Sequence, residues 1–384
     1  MNSPVRAWHA IAAGCCATLL GVGLQRFAYA PLLPAMIHEG WLTPAVGGLL
    51  GAANFAGYVI GGVLAPSLAR SWGVARSLRW SMLLATVCLA LCAWRVAPDL
   101  ALAWMAPWRT LAGVAGGVLL VLAGPAMQSV VEPHRRGLAG GLMFSGVGVG
   151  IVAGAVIVPA LLPNGVAGIW LGLAATGAAL TLLSWRWWPD VPPPPQAVRM
   201  PLRGPALWLV ASYTLAAVGA TPHMAWWPDY VARGLGLGTN AGANAWLIYG
   251  LAAIAGTTLC GRMGDRLGAA TALRITLSLQ IVGLLVTLLP AIGVPLSPPL
   301  QIVSGILASI SAVGTTTLVL TRARDIAPEA PGALWRIATI FWGASQFATG
   351  FALAWLFAET SSHAVLFAVG LAGAIGALAF ARPR

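Results

Sequence analysis

The uncharged segment Thr110-Leu-Ala-Gly-Val-Ala-Gly-Gly-Val-Leu-Leu-Val-Leu-Ala-Gly-Pro-Ala-Met127 decides the fold class of this chain. A helix needs about 20 apolar residues to cross the ~30 Å hydrocarbon layer of a bilayer. Comparable runs recur along the sequence, which is 59% hydrophobic and 8% charged, whereas a soluble chain carries roughly 25% charged residues. Only helices and closed barrels satisfy the backbone in lipid, and the sequence lacks the alternating pattern of a barrel. It therefore predicts an all-α polytopic membrane protein.

Twelve membrane spans are predicted, with boundaries accurate to a few residues. They are residues 8–35, 44–69, 76–97, 100–127, 137–161, 166–187, 206–229, 242–262, 270–290, 298–320, 333–357 and 362–381. The run Val191-Pro-Pro-Pro-Pro-Gln196 cannot continue a helix and favours an extended spacer. We therefore predict an N-terminal six-helix bundle in residues 1–188, a Pro-rich linker in residues 189–205 and a C-terminal six-helix bundle in residues 206–384.

The charged residues indicate how the chain is oriented. A net charge of +12 could indicate a nucleic-acid-binding protein, but the arginines lie mostly in the loops between spans. With a cytoplasmic N-terminus, 17 of the 21 arginines fall on the inner side, in agreement with the positive-inside rule. We therefore expect both termini and the linker in the cytoplasm, and no nucleic-acid partner. The first apolar run continues past signal-peptide length, so we expect it to remain as the first span.

The five cysteines do not indicate a metal or redox site. They lie in apolar runs without the spacing or the His partners of a zinc site. They are Cys15, Cys16, Cys88, Cys92 and Cys260. The sequence also lacks a nucleotide-binding loop and a His, Cys and carboxylate cluster suited to hydrolysis. We therefore predict no cofactor, no metal and no enzymatic activity.

Two motifs resemble those of the major facilitator superfamily. After the span 242–262, the sequence Gly261-Arg-Met-Gly-Asp-Arg-Leu-Gly268 resembles its G-x-x-x-D-R-x-G loop. The span 100–127 carries Arg109-Thr-Leu-Ala-Gly-Val-Ala-Gly-Gly117, which is similar to the R-x-x-x-G-x-x-G pattern of its fourth helix. The loop after the span 44–69 keeps an Arg and a Gly but lacks the Asp, so it departs from the usual gating charge pair of the superfamily. The predicted gating-loop residues are Arg70, Gly73, Gly261, Gly264, Asp265, Arg266 and Gly268.

A narrower resemblance covers most of the chain. Gly23-Leu-Gln-Arg-Phe-Ala-Tyr-Ala-Pro-Leu-Leu-Pro34, Pro222-His-Met224 and Asp229-Tyr-Val-Ala-Arg-Gly-Leu-Gly236 resemble the YbfB/YjiJ branch of that superfamily, with Gln25 where the branch has Gly. The resemblance implies a transporter of the bacterial inner membrane with the major facilitator fold, twelve helices in two related six-helix bundles. The branch name implies a class of protein and not a particular substrate.

Two arginines, Arg26 and Arg109, fall within or near the predicted membrane region. A charge at a helix centre costs roughly 2.5 to 3.5 kcal/mol, so such residues usually face a wet cavity or a partner. Arg26 could bind substrate together with Tyr29, three residues further on, or it could snorkel to the outer interface. Arg109 could face substrate or hydrogen-bond backbone carbonyls. If both line a cavity, an anion such as a carboxylate suits them, because a guanidinium fork matches two oxygens.

Span 206–229 contains a candidate for proton coupling, His223, next to Pro222, which can kink the helix. The alternative is a buried histidine that is hydrogen-bonded between helices. None of the nine acidic residues falls clearly at mid-membrane, so the acidic proton relay of drug/proton antiporters is not visible.

Three uncharged polar residues complete the candidate site. Asn54 and Tyr58 share a helix face at i and i+4, and Gln346 is isolated among apolar neighbours. Each could contact substrate, although a hydrogen bond between helices is the favoured interpretation for each alone. The predicted substrate-binding residues are Arg26, Tyr29, Asn54, Tyr58, Arg109, His223 and Gln346.

These residues lead to a ranked set of functional hypotheses. The first is secondary active transport of a small solute, preferably an organic anion, by alternating access; coupling to a co-transported or exchanged proton and uncoupled transport both stay open. The alternative is efflux of hydrophobic compounds or drugs, which should use an intramembrane Asp or Glu that the sequence lacks. A non-transporting receptor or scaffold ranks low because no sizeable soluble domain is present to relay a signal. We expect the protein to act as a monomer in the lipid bilayer.

Overall fold

The computed structural model describes residues 4–193 and 200–382, and these residues form helices and connecting turns without any strand. The helices are α1 Pro4–Thr18, α2 Tyr29–His38, α3 Pro44–Trp72, α4 Val74–Leu91, α5 Ala101–Ser129, α6 Arg136–Leu161, α7 Gly165–Ser184, α8 Pro205–Asp229, α9 Thr239–Leu267, α10 Ala269–Leu288, α11 Pro298–Ile326, α12 Pro331–Thr360 and α13 His363–Phe380. The prediction of an all-α protein is confirmed.

Each predicted span corresponds to a helical stretch. Ten stretches of the described residues are long and apolar enough to cross a membrane, and one of them, Pro133–Ser184, contains two predicted spans. The remaining predicted span, 206–229, corresponds to α8. The largest boundary errors are at α11, which ends at Ile326 and not at residue 320, and at α4, which ends at Leu91 and not at residue 97. The chain turns there, because Ala93 donates to the carbonyl of Ala90 and Trp94 to that of Leu91.

The chain divides into two compact units. Unit 1 comprises Met1–Glu132 and Ser145–Ala197, and unit 2 comprises Pro133–Phe144 and Val198–Arg384. The helix α6 therefore contributes its first turns to unit 2 and the remainder to unit 1. The predicted bundles and linker stay predictions, and residues 194–199 of that linker lie outside the described part of the chain.

The first span is a helix with an unusual central segment, because its backbone is π-helical over Leu19–Phe27. The amide of Ala28 donates to the carbonyl of Gly23, five residues earlier, at 3.1 Å. π-helical turns often mark functional sites. They also change the angular spacing of side chains, so the sequence argument that places Arg26 and Tyr29 on one face does not apply to this segment.

Glycines allow α3 and α5 of unit 1 to pack backbone against backbone. A Cβ on Gly57 or Gly61 of α3 would overlap carbonyl groups of α5, and one on Gly113 or Gly117 would overlap those of α3. Each pair is spaced four residues apart, so both glycines of a helix lie on one face. This close contact fixes the helix faces that carry the polar residues of unit 1.

Candidate functional site

Unit 1 contains an arginine cluster, defined as Arg26, Tyr29, Asn54, Tyr58 and Arg109. The side chain of Arg109 is only 1% exposed, and its Nη1 donates to the backbone carbonyl of Gln25 at 2.9 Å. Its guanidinium carbon lies 4.3 Å from the ring centroid of Tyr29. Among the described residues, its Nε has no hydrogen-bond partner. The hydrogen bond to the Gln25 carbonyl matches the predicted alternative of a backbone contact for Arg109. The Nε–H of Arg109 remains as a donor for a ligand.

Arg26 lies over a different pair of rings. Its guanidinium carbon is 4.1 Å from the ring centroid of Phe55 and 4.8 Å from that of Tyr58. A cation over an aromatic face gains about 2 kcal/mol or more when desolvated. Arg109 donates to the carbonyl of Gln25, the residue next to Arg26, so the two arginines lie in the same part of unit 1. The structure therefore brings two like charges together inside unit 1, each stacked on aromatic rings.

The uncharged members of the arginine cluster hold it in place. Asn54 donates from Nδ2 to the carbonyl of Arg109 at 3.2 Å, and the hydroxyl of Tyr29 donates to the carbonyl of Gly47 at 2.9 Å. For Asn54, this contact is the hydrogen bond between helices that the sequence favoured. Gln25 was not among the predicted site residues, yet its side-chain amide donates to the carbonyl of Ala85 at 2.6 Å. The signal in the sequence that could have identified this residue is that Gln25 stands where the YbfB/YjiJ branch has Gly.

The arginine cluster can attract an anion. The sequence has no Asp or Glu before Glu39, none between Glu39 and Asp99, and none between Asp99 and Glu132. The helices that carry the cluster therefore supply no carboxylate of their own at mid-helix. Two guanidinium groups that repel each other in a poorly solvated place favour a bound negative charge.

Unit 2 contains a histidine cluster, defined as His223, Trp227, Thr287, Ser304 and Phe367. The imidazole of His223 is 1% exposed and packs 5.2 Å from the Trp227 ring and 4.9 Å from the Phe367 ring, measured between centroids. Its Nε2 lies 3.1 Å from the hydroxyl oxygen of Thr287. This is the alternative of a buried histidine that bonds between helices, here α8 and α10. The helix α8 continues through the predicted kink at Pro222.

The hydrogen bonds of this cluster assign the tautomer of His223. The Ser304 hydroxyl donates to the carbonyl of Gln301 at 2.7 Å. The Thr287 hydroxyl has one proton, which it directs to the carbonyl of Gly283 or to the Ser304 hydroxyl, each at 3.0 Å. Thr287 must therefore accept from the Nε2–H of His223. The Nδ1 of His223 is left as an acceptor that has no partner among the described residues.

Further predicted and unpredicted residues lie elsewhere in unit 2. Gln346 of α12 contacts the sulfur of Met224 through its Nε2 at 3.2 Å. At the end of α8, Asp229 pairs with Arg233 and with His363, whose Nε2 lies 2.8 Å from its carboxylate. The hydrogen bond that Arg233 donates to Asp229 raises the pKa of Arg233 above its ordinary value. Arg233, His363 and Thr287 line a cavity of about 570 Å³.

The predicted gating loops share one backbone form and differ in chemistry. Gly73 and Gly268 have φ values of 83° and 82°, a conformation that favours glycine. In unit 2, the carboxylate of Asp265 accepts from the amides of Gly137 and Leu138, each at 2.7 Å, and so caps the start of α6. The loop at Gly73 has no acidic residue with which to make such a contact.

Comparison with known proteins adds a family and a fold. The family model described as "Uncharacterised MFS-type transporter YbfB" matches residues 18–382. The enterobactin exporter EntS of Shigella boydii is 30% identical over 193 residues, which is 48% of this chain and 44% of that protein. The chain thus matches less than half the length of the curated relatives compared here.

Solved structures share the fold over nearly the whole chain. A bacterial homologue of the iron transporter ferroportin, in an outward-facing state, has a TM-score of 0.77 at 16% identity, covering 97% of both chains. The proton:xylose symporter XylE has a TM-score of 0.78 at 14% identity, covering 99% of this chain and 96% of its own. These similarities confirm the predicted major facilitator fold.

Proposed function

This chain belongs to the YbfB-like family of major facilitator superfamily transporters, and from that membership we propose that it carries a small organic anion by alternating access. It is a multi-pass membrane transporter of a bacterial family and not an enzyme. We further propose that it acts in the inner membrane as a monomer. Both termini would lie in the cytoplasm, because 17 of 21 arginines then face inward.

The observation that carries the proposal is the placement of two guanidinium groups, the half-buried one of Arg26 and the fully buried one of Arg109, over aromatic rings of the same unit. An anion between two guanidinium groups would relieve their repulsion and gain charge-assisted hydrogen bonds. Each such bond contributes about 1.5 to 3 kcal/mol, or roughly 10- to 100-fold in affinity. The unpartnered Nε of Arg109 supplies one donor for it. A cationic drug would meet an unfavourable potential at the same place.

Proton coupling is assigned to His223. It is the neutral titratable group of the histidine cluster, and its Nδ1 can accept a proton or a hydrogen bond. A change of partner at Nδ1 would be transmitted to α10 and α11 through Thr287 and Ser304.

A thermal-stability screen of the purified protein tests the cargo class, because a ligand that binds the folded state raises its apparent stability. We expect small carboxylates to raise the melting temperature and amines to leave it unchanged. Arg109→Gln should abolish the response. Arg95→Gln is the matched control, because Arg95 also bonds a carbonyl and lies near a ring, but it is exposed. A response to amines alone would overturn the proposal.

Export is a second candidate for the direction of transport, supported by the similarity to the enterobactin exporter. Sidedness of labelled substrate movement in inverted and right-side-out vesicles distinguishes it from uptake. Accumulation inside inverted vesicles is the result expected for an exporter, and accumulation only in right-side-out vesicles would exclude export.

A further inference from the structure

A groove of about 820 Å³ lies on unit 1, away from the arginine cluster residues. Its walls come from α3 and α4, and residues of α5 form its floor. Besides Ser81 of α4, the wall residues are Leu64, Leu68, Trp72, Arg76, Trp80 and Leu84. The lining is apolar along most of its length, with a guanidinium at one end.

The wall residues follow helix periodicity on both sides. On α3 they are spaced four residues apart from Leu64 to Trp72, and on α4 from Arg76 to Leu84, so each set forms one stripe. At 1.5 Å per residue, each stripe extends for about 12 Å. The loop at Gly73 joins the two stripes at their charged end. The groove thus runs from an apolar interior to a basic rim.

The rim carries the side chains that recognise the surface of a bilayer. Trp72 and Trp80 are each 52% exposed on either side of the exposed Arg76. Tryptophan is enriched at the depth of the lipid headgroups. Basic pockets between helices on the cytoplasmic side are suited to anionic headgroups. By the predicted orientation, this rim faces the cytoplasmic leaflet.

The charge of the rim is not balanced by acidic residues nearby in the sequence. No Asp or Glu lies between Glu39 and Asp99, a stretch that holds four arginines. One of these, Arg79, donates to the carbonyl of Trp185 at 2.6 Å. The equivalent loop of unit 2 contains Asp265, which would repel a phosphate. Arg76 therefore lies in the first turn of α4, next to a loop without an acidic residue, and its charge complements an anionic headgroup.

We propose that this groove binds one anionic phospholipid, with its phosphate at Arg76 and an acyl chain between Leu64, Leu68 and Leu84. The length of the groove and its apolar walls fit a hydrocarbon tail, and Trp72 and Trp80 flank the headgroup. The site is separate from solute recognition, so it stands whether the transported compound is an anion or not.

Native mass spectrometry of the full-length protein tests this site. We expect one phosphatidylglycerol to be retained in preference to phosphatidylcholine with the same chains. Arg76→Gln should weaken retention of phosphatidylglycerol roughly five-fold. Arg262→Gln, at an exposed arginine near the end of α9 in unit 2, should leave retention unchanged. Equal retention of the two lipids by the wild type, or equal loss in both variants, would overturn the proposal.

A second variant tests where the acyl chain lies. Leu68→Trp fills the middle of the groove without changing its charge, and it should reduce retention of phosphatidylglycerol while the melting temperature in detergent stays within a few degrees. Retention equal to that of the wild type would show that the lipid lies elsewhere. The wild type could instead retain no lipid but bind detergent or an apolar drug that Leu68→Trp no longer binds. That result would assign the groove to another occupant and contradict the proposal.

Discussion

The arginine cluster of unit 1 and the histidine cluster of unit 2 resemble each other in construction but differ in charge. Both place polar side chains among aromatic rings, and both bond backbone carbonyls, those of neighbouring helices in the arginine cluster and those of the same helix in the histidine cluster. The arginine cluster holds two cations near each other. The histidine cluster holds an imidazole and two hydroxyls, which are neutral when the imidazole is unprotonated.

This difference suggests a division of labour. A permanent charge attracts a ligand of opposite sign but cannot change with pH, because an arginine stays protonated. An imidazole can take up and release a proton near neutral pH when water reaches it, so the buried His223 would do so in a state that hydrates it. We therefore propose that unit 1 recognises the anion and that unit 2 carries the coupling. The gating loops differ in the same way, since only the loop of unit 2 carries a carboxylate.

The largest effect is expected where the arginine cluster depends on helix packing. In Gly113→Ala, the new methyl group would overlap the carbonyl of Asn54 and force α3 away from α5. Overpacking of this kind costs about 1 to 3 kcal/mol and occasionally more, so the melting temperature should fall by several degrees. Gly350→Ala is the control, because a Cβ there meets nothing within 4 Å. Equal melting temperatures for the two variants would contradict this account of the helix contact.

A slightly smaller effect is expected in the histidine cluster. Thr287→Val removes the acceptor of the Nε2–H of His223 and leaves both ring nitrogens buried without a partner. Such a loss costs about 1 to 3 kcal/mol. Thr287→Ser should restore most of the thermal stability. Thr86→Val should cost less, since its partner Thr181 keeps a bond within its own helix. A Thr287→Val protein as stable as the Thr86→Val protein would count against the assigned tautomer.

The smallest effect compares equivalent bonds of the two units. Asn54 of α3 donates to a carbonyl of α5, and Ser309 of α11 donates to the carbonyl of Tyr249 in α9. Asn54→Ala and Ser309→Ala should each cost about 0.5 to 1.5 kcal/mol of stability, measured by thermal unfolding. Only Asn54→Ala should also weaken anion binding, because its bond holds the backbone of Arg109. Equal changes in anion affinity would remove that distinction.

The helices could be predicted from the sequence because the requirement for long apolar runs is local. The span 100–127 matches α5, Ala101–Ser129, within two residues. The predicted end of α4 was wrong because the turn after Leu91 is made of residues that are themselves apolar. The π-helical segment was not predicted, since its backbone form is supported by close packing of Gly23 against Gly150, 127 residues away.

The members of the candidate site could be chosen from the sequence, but their partners could not. Arg26 and Arg109 were identified because charge is rare in apolar runs. The rings beneath them, such as Phe55 and Trp170, look like ordinary apolar residues until the helices pack. Thr287 was missed for the same reason. Its importance follows from its contact with His223, 64 residues away.

Transport by reconstituted protein tests the central claim most directly. Proteoliposomes loaded with an unlabelled organic acid should take up the same labelled acid by counterflow. We expect saturable exchange by the wild type, partial exchange by Arg109→Lys, and loss of roughly 10-fold or more in Arg109→Gln at subsaturating substrate. Wild-type exchange by Arg109→Gln, with the acid still competing for transport, would contradict recognition by the arginine cluster.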